Sequence, residues 1–342
     1  MSHPSTDQSL PNRDAALGAV VGALVGDAAG AVLEFLGRPV EDADVARAMM
    51  LPGGGTWGVA PGQVTDDGEL TMSLLTALAT APDDPTEQAA RHYARWVASD
   101  PFDIGATTAA SLGCLADPER AARAEHEGAA AVMTATARER CMKSKANGSL
   151  MRATPLGVWG AVRDPEAVIA ATMRDARLSH PNDTCVGAAV AYVLAIRHLV
   201  RAPGDVEGAI ACATAALAND DAFQEPRTWL EEAKSGVLVP FTPQDGFVRI
   251  AFTHAFRHLV LGTDYTDALH EVLSGGGDTD TNACIVGGLL GARWGLSMIP
   301  AAMADKVLGC ETRAGSNPRP ADLHPRSAPD LVHTLLRATE HV

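Results

Sequence analysis

Four glycines recur at every fourth position near the start of the chain, at Gly18, Gly22, Gly26 and Gly30. Residues four apart lie on one face of an α-helix, so this spacing predicts a helix with one ridge that carries no side chains. Each glycine costs up to ~1 kcal/mol of helix stability relative to alanine. Four of them in register therefore indicate that the backbone of a second element approaches this ridge closely.

The remaining sequence has the periodicity of helices rather than that of strands. Apolar residues recur at helical spacing, alternating patterns are scarce, and Pro and Gly residues separate the segments. We predict helices over about 13–35, 68–81, 85–98, 103–115, 119–140, 164–177, 181–201, 205–218, 222–235, 246–260, 264–273, 280–295 and 328–340.

The composition agrees with this pattern. Aromatic residues make up only 4% of the chain, whereas β-sandwiches usually need aromatic and β-branched side chains. No long linker and no fixed repeat divides the chain, so one domain is sufficient for its length. The prediction is an all-α fold, a single orthogonal multi-helix domain over residues 13–342 that follows a flexible tail over residues 1–12.

The charge and the cysteines limit what the chain binds and where it acts. Its formal net charge of −15 argues against a nucleic-acid duplex as a partner, because a protein that binds one needs a basic face. Six cysteines without a CxxC pair are typical of small buried side chains in a reducing compartment. The most apolar stretch, residues 15–26, is shorter than the about 20 residues that span a bilayer. We expect a cytoplasmic protein that does not enter a membrane.

Two short segments combine carboxylates with hydroxyls at the starts of predicted helices. They are residues 65–69, with the sequence TDDGE, and residues 275–282, with the sequence GGGDTDTN. Helix capping explains one acidic residue in each segment, and Asp66 with Glu69 fits a capping box. Capping explains two acids and a hydroxyl in both segments poorly, because adjacent like charges repel unless a cation binds them.

If the fold brings these segments together, their oxygen atoms form one metal site. The candidate ligands are Thr65, Asp66, Asp67, Asp278, Asp280 and Thr281. Oxygen ligands without Cys or His favour Mg²⁺, Mn²⁺ or Ca²⁺ over Zn²⁺. Four carboxylates balance the charge of two divalent ions, so the pattern indicates a binuclear site.

Three further motifs have both a functional and an ordinary interpretation. Asn147, Ser149 and the backbone N–H groups of residues 145–152 are suited to hold a diphosphate or a ribose, although an ordinary polar turn is the simpler interpretation of this loop. His180 precedes a predicted helix, where it either ends a loop or contacts a nucleotide. Asp103 opens another helix, where an acid is a routine cap.

The first predicted helix carries two acids, Asp27 and Glu34, which lie seven residues apart and therefore on one stripe. Either Asp27 is satisfied by the end of a neighbouring helix, or it has a role in metal binding or proton transfer. The histidines other than His180 are expected to have no companion at the spacing of metal ligands. No Ser–His–Asp or Cys–His arrangement is inferred.

Taken in order, these segments resemble the ADP-ribosylglycohydrolase family, in particular its group of ADP-ribosylarginine and dinitrogenase reductase hydrolases. The matching motifs span residues 13 to about 295. They are GDAAG (26–30) with EF (34–35), TDD (65–67), DIG (103–105) with TT (107–108), NGSLMR (147–152), His180 and GGDTDTN (276–282). Each motif is weak alone, but six of them in the family's order are specific.

The resemblance implies an all-α hydrolase with two divalent cations, Mg²⁺ or Mn²⁺, held by the six ligands given above. It implies catalytic roles for Glu34, Asp67 and Asp103, with Glu34 as a gate over the metals and Asp103 facing the ribose and the departing group. The residues that it implies for binding ADP-ribose are Asn147, Gly148, Ser149, Met151, His180, Gly276 and Gly277.

The chain departs from the family pattern at three places. Gly68 stands where a Thr is frequent, and Ala106 stands where an Asn is frequent. The segment 143–146 is more basic and less aromatic than in some relatives, which affects how adenine is stacked. None of these departures removes a candidate metal ligand.

We therefore expect metal-dependent hydrolysis of the glycosidic bond between ADP-ribose and a modified protein side chain, with arginine as the leading candidate. Cleavage of an O-linkage to serine, or of a small ADP-ribose derivative, needs the same metals and remains open. A non-catalytic structural relative also remains open, although the intact acids count against it. A two-metal phosphatase would instead release inorganic phosphate. The expected partner is an ADP-ribosylated protein or a small molecule that contains ADP-ribose.

Overall fold

The structure, a computed structural model, describes residues 10–218, 220–313 and 315–337. Over these residues it contains 17 α-helices and no β-sheet, which confirms the predicted all-α fold. The helices are α1 (Arg13–Gly30), α2 (Asp42–Ala48), α3 (Asp66–Thr80), α4 (Thr86–Ala98), α5 (Ala106–Leu112), α6 (Pro118–Glu127), α7 (Ala129–Arg140), α8 (Thr154–Gly160), α9 (Pro165–Arg177), α10 (Asp183–Arg201), α11 (Val206–Ala218), α12 (Gln224–Lys234), α13 (Val248–Leu261), α14 (Tyr265–Ser274), α15 (Thr279–Trp294), α16 (Ala301–Leu308) and α17 (Ala328–Arg337). Short 3₁₀ turns are formed by Gly113–Ala116, Asp221–Phe223, Leu296–Met298, Ala321–Leu323 and Pro325–Ser327.

The glycine ridge of α1 packs directly against the backbone of α15, as its spacing predicts. A Cβ atom on Gly22 would lie 2.4 Å from the carbonyl oxygen of Gly287, and a Cβ atom on Gly287 would lie 2.3 Å from the carbonyl oxygen of Gly22. At the end of the ridge, a Cβ atom on Gly30 would lie 2.3 Å from the Cα atom of Asp280. The two helices can therefore approach only because these positions have no side chain, and their contact brings the end of α1 to the start of α15.

Several predicted boundaries differ from those of the structure. Helix α1 ends at Gly30, and Phe35 has a positive φ of 53°, so Glu34 lies in a turn and not on the predicted helix 13–35. The predicted helix 119–140 is two helices, because Gly128 has a φ of 93° between them. The short helices α2, α8 and α16 were not predicted, since seven or eight residues give little periodic signal.

The predictions for the two ends of the chain fall partly outside the described residues. Of the predicted tail 1–12, residues 1–9 are not described, and Asn12 caps α1 by accepting a hydrogen bond from the backbone N–H of Ala15 at 2.9 Å. Of the predicted helix 328–340, residues 338–340 are not described.

Helix α10 is the one described helix whose length and apolar composition would allow it to cross a membrane. This property belongs to α10 rather than to residues 15–26, the stretch that the sequence indicates as the most apolar. Within the apolar window of α10, 83% of the residues are buried inside the protein. Packing against neighbouring helices therefore accounts for its composition.

Candidate active site

The two acidic segments meet at the starts of α3 and α15. Thr65 precedes α3 as its N-cap, and Asp278 occupies the same position before α15. The Thr65 hydroxyl lies 3.4 Å from Oδ2 of Asp280, although the two residues are 215 apart in the chain. Thr281 donates from its hydroxyl to Oδ2 of Asp67 at 3.2 Å. The fold thus forms the single oxygen-rich cluster on which the metal hypothesis depends.

Three acids of this region form a second group. Carboxylate oxygens of Glu34, Asp103 and Asp280 lie within 4.8 Å of one another. Trp57 donates its indole N–H to Oε2 of Glu34 at 2.6 Å, which fixes the carboxylate in the turn after α1. Asn147 donates to Oδ2 of Asp278 at 2.6 Å and so joins its loop to the acidic cluster.

The electrostatics of the cluster fit a bound cation. Burial, followed by the charges of neighbouring acids, raises the pKa values of Asp66, Asp67 and Asp280 well above their ordinary range. Oδ1 of Asp67 is buried and has no hydrogen-bond partner among the described residues. An unsatisfied buried oxygen and several adjacent carboxylates are both costly, and one divalent cation or more would remove both costs. The acids thus form a group that is able to hold metal.

Asp27 lies behind the cluster and supports it. The sequence alone allows two interpretations of this residue. Both of its carboxylate oxygens lie 3.0 Å from the backbone N of Thr65, and it accepts from the Thr65 hydroxyl at 2.8 Å and from the backbone N–H of Gly68 at 2.7 Å. It is fully buried, and burial raises its pKa to about 7. A Cβ atom on Gly68 would lie 2.6 Å from Oδ2 of Asp27, so glycine leaves room for this carboxylate. Asp27 is therefore satisfied by the start of a neighbouring helix, α3, as the first of the two interpretations expects.

A second buried network supports the other wall of the site. Arg152 is fully buried and donates to the carbonyl oxygen of Gly148 at 2.9 Å, to Oδ2 of Asp175 at 3.1 Å and to the Ser179 hydroxyl at 2.9 Å. The Ser179 hydroxyl lies 2.8 Å from Nδ1 of His180. Burial, together with the charge of Arg152, lowers the pKa of His180 to about 3, so the imidazole is neutral at neutral pH.

A cleft of about 490 Å³ opens over the cluster. Ten of the predicted site residues line it, namely Glu34, Asp66, Asp103, Asn147, Gly148, Met151, His180, Asp278, Asp280 and Thr281. Thr65 and Asp67 are buried behind this lining and reach the cluster through the contacts given above. Ser149 is also buried, and its hydroxyl has no partner among the described residues. Gly276 and Gly277 have positive φ values of 66° and 71° and shape the loop before Asp278 outside the cleft lining.

The cleft also contains residues that were not among the predicted site residues. Trp57 and Phe35 line it, with ring centroids 6.1 Å apart, and Phe102 lies 6.3 Å from Trp57. Asp245 adds another acid to the lining. Trp57 could have been found from its place in the sequence. It lies in a loop rich in Gly and Pro at residues 52–62, where a tryptophan is not expected to belong to the core.

Comparison with known proteins identifies the family. The sequence model of the ADP-ribosylglycohydrolase family matches residues 8–331. The chain belongs to the ADP-ribosylglycohydrolase family. The family resemblance and the hydrolase class that were inferred from the motifs are thereby confirmed, and the members act on ADP-ribose linkages.

Two curated relatives and one solved structure agree with this assignment. A protein of Acanthamoeba polyphaga mimivirus, provisionally named an ADP-ribosyl glycohydrolase, is 28% identical over 319 residues, which cover 86% of this chain and 90% of the relative. The ADP-ribosyl-dinitrogen reductase glycohydrolase of Rhodospirillum rubrum is 28% identical over 299 residues, with the same coverage of 86% and 90%. A structure described as an ADP-ribosylglycohydrolase-related protein complex has a TM-score of 0.70 at 23% identity and covers 95% of this chain and 98% of its own. This last similarity concerns the fold.

Proposed function

We propose that the chain hydrolyses the N-glycosidic bond between ADP-ribose and an arginine side chain of a modified protein, and that it uses two divalent cations, Mg²⁺ or Mn²⁺. The family assignment supports cleavage of an ADP-ribose linkage. The arginine linkage is supported by one observation above all, the position of acids and an indole ring together at the cleft. Glu34, Asp103 and Trp57 all line it.

A guanidinium group fits this part of the cleft better than a serine hydroxyl does. The group is planar, cationic and rich in N–H donors, so it binds carboxylates and stacks on aromatic rings. The side chains of Glu34 and Trp57 are held together by their 2.6 Å hydrogen bond. Asp103 has an oxygen within 4.8 Å of one on Glu34. A departing serine has no positive charge and would gain little from these groups.

The six oxygen ligands predicted from the sequence are the residues that would hold the ions. These are Thr65, Asp66, Asp67, Asp278, Asp280 and Thr281. When bound, the ions supply Lewis acidity, bind ribose hydroxyls and orient a water molecule. Asp27 fixes the hydroxyl of Thr65 by accepting a hydrogen bond from it at 2.8 Å, and Asn147 orients Asp278 from the loop 145–152.

The remaining residues orient the substrate and handle protons. Asn147, Gly148 and His180 form the part of the wall that is suited to ADP-ribose. The neutral His180 is able to donate or accept one hydrogen bond without placing a charge in the cleft. Burial and the charge of Asp278 raise the pKa of Asp103 to about 6. This value suits a carboxylate that stays ionised against a guanidinium and exchanges a proton near neutral pH.

The proposal is tested with matched peptides that carry ADP-ribose on arginine or on serine. Each peptide is incubated with the metal-stripped protein, with added Mg²⁺ or Mn²⁺, and with EDTA, and free ADP-ribose is measured. We expect release from the arginine-linked peptide that depends on metal, and much slower release from the serine-linked peptide. Preference for serine would contradict the arginine proposal, and equal release in EDTA would contradict the metal proposal.

A further inference from the structure

A second group of potential metal ligands lies outside the acidic centre, on α13 and α14. His254 and His258 are four residues apart on α13, so the expectation that the remaining histidines have no companion at ligand spacing was wrong. Both imidazoles are fully buried. A ring nitrogen from each, and a carboxylate oxygen of Glu271 on α14, lie within 4.8 Å of one another.

The hydrogen bonds of the two histidines leave one nitrogen free on each ring. Nε2 of His254 lies 2.8 Å from the carbonyl oxygen of Val239, and Nδ1 of His258 lies 3.2 Å from the Thr263 hydroxyl. The other two nitrogens, Nδ1 of His254 and Nε2 of His258, are buried and have no partner among the described residues. Leaving such a group unsatisfied inside the protein is unfavourable. In metal sites, one nitrogen of a histidine binds the ion while the other bonds a carbonyl or similar acceptor. The two nitrogens without a partner are therefore the ones that are available to an ion.

We propose that His254, His258 and Glu271 form a site for a transition-metal cation of the zinc type, separate from the acidic centre. Two imidazole nitrogens and one carboxylate oxygen are a ligand set that zinc uses, with a water molecule or another group in the fourth position. In a tetrahedral zinc site with bonds of ~2.0–2.1 Å the ligand atoms are about 3.3 Å apart. Nε2 of His258 and Oε1 of Glu271 lie 3.8 Å apart, so an approach of about 0.5 Å brings this pair to that spacing.

The state of the ligands agrees with binding at neutral pH. Burial lowers the pKa of His258 to about 4 and also lowers that of His254, so both rings are neutral and have a free lone pair. Glu271 is 41% exposed, which gives an ion a path from solvent. Arg257 donates to Oε1 of Glu271 at 2.6 Å. The same oxygen lies 3.8 Å from Nε2 of His258. The bond to Arg257 orients the carboxylate and balances its charge before an ion arrives, and a carboxylate oxygen has a second lone pair for the ion.

The position of this group indicates what the ion would do. The ring of Phe241 stacks on His254, with centroids 4.0 Å apart and an interplanar angle of 17°. Phe241 in turn packs against Gly275, where an added Cβ atom would collide with its ring. Gly275 follows α14 directly and begins the loop that leads to Asp278. A zinc ion would therefore brace α14 and the segment 239–241 behind the loop that carries a ligand of the acidic centre.

The test measures zinc bound to the intact, metal-stripped protein. The protein is dialysed against Zn²⁺ in millimolar Mg²⁺, which occupies the acidic centre, and bound zinc is determined by mass spectrometry. We expect one zinc per chain in wild type and in His270→Gln, a control at an exposed histidine of α14. We expect the affinity for zinc to fall at least about 100-fold in His258→Gln and in Glu271→Gln. Zinc retained in both variants, or none bound to wild type, would overturn the proposal.

A measurement on wild type alone covers the case in which these variants fail to fold. Co²⁺ replaces zinc, and its visible spectrum is intense when it is four-coordinate and weak when it is six-coordinate. In millimolar Mg²⁺ we expect one intense Co²⁺ spectrum per chain, removed by one equivalent of Zn²⁺. A weak spectrum alone would mean that cobalt enters only the oxygen-rich centre, and the proposed site would be wrong.

Discussion

The Asp27 carboxylate accepts hydrogen bonds from both the backbone N–H and the hydroxyl of Thr65, at 3.0 and 2.8 Å. A residue of α1 thus sets the orientation of a candidate metal ligand at the start of α3. Asp27 directly follows Gly26 of the glycine ridge that packs on α15, so the same contact that joins the two helices also places this acid. The site is consequently built where two helices pack backbone against backbone.

Asp27→Asn tests this positioning role. The amide replaces one of the two acceptor oxygens with an N–H donor, so it cannot accept from both Thr65 and Gly68 and the first turn of α3 must shift. We expect at least about tenfold lower turnover and a higher Mg²⁺ concentration for half-maximal activity. Asp164→Asn is the control, because Asp164 caps α9 far along the chain from the acidic segments. A lower melting temperature with an unchanged metal requirement would mean that Asp27 is only structural.

Trp57 is predicted to help recognise the leaving group. A stacked ring and a cation stabilise each other by ~0.5–2 kcal/mol, so Trp57→Ala should lower kcat/KM for an arginine-linked substrate about 2–30-fold. Trp57→Phe keeps an aromatic ring but loses the hydrogen bond to Glu34. Steady-state kinetics on arginine-linked and serine-linked peptides should show that only the alanine variant loses its preference for the arginine linkage. Equal losses on both peptides would argue against contact with the guanidinium.

Asp103 is predicted to act in the chemistry rather than as a helix cap. Helix α5 begins at Ala106 and its N-cap is Gly105, so Asp103 lies before the capping position. We expect Asp103→Asn to remain folded and metal-loaded but to lose at least about tenfold in cleavage of arginine-linked ADP-ribose. Turnover, metal content and melting temperature are measured on the same preparation. Normal turnover with only a lowered melting temperature would contradict this assignment.

His180 gives a prediction for stability against pH. Its folded pKa of about 3 lies below the value of ~6.5 in an unfolded chain. Between these values the unfolded state binds a proton that the folded state does not, so the stability due to neutral His180 is complete above pH ~6.5 and falls as the pH decreases. The slope for one such group approaches about 1.4 kcal/mol per pH unit.

Urea unfolding of wild type and His180→Gln at several pH values isolates this contribution, because the titrations of other groups cancel in the difference. The variant should lose less stability than wild type between pH 7 and pH 5, whereas His126→Gln, at an exposed position, should follow wild type. If the free energies of unfolding of His180→Gln and wild type change in parallel with pH, His180 takes up its proton as readily in the folded state as in the unfolded state, and the prediction is wrong.

The sequence alone was sufficient to predict the all-α fold class and to identify the two acidic segments. The glycine spacing predicted a close backbone contact, because four helix-weakening residues in register need a packing reason. The pairs of acids indicated a shared ligand, because capping uses one acid at each helix start. Both patterns are local, and each is costly to the chain unless a packing partner or a ligand offsets it.

The parts that were missed depend on contacts between distant segments or on the geometry of turns. Arg152 and Asp175 form a buried ion pair that no spacing reveals. Glu34 was placed on a helix, yet the helix ends at Gly30 and Glu34 lies in the turn that follows. The spacing of His254 and His258 on one helix could have been read from the sequence. The third candidate ligand, Glu271, lies on another helix, so the pair alone did not indicate a metal site.

We propose that the two acidic segments form one metal centre that is required for cleavage of ADP-ribose linkages. The most direct measurement is bound Mn²⁺ per chain by equilibrium dialysis, with release of free ADP-ribose on the same samples of wild type, Asp67→Asn and the loop control Asp83→Asn. We predict that Asp67→Asn loses bound Mn²⁺ and at least about 100-fold in turnover together, while Asp83→Asn matches wild type. Full Mn²⁺ occupancy with normal turnover in Asp67→Asn would contradict a shared metal centre that is required for cleavage.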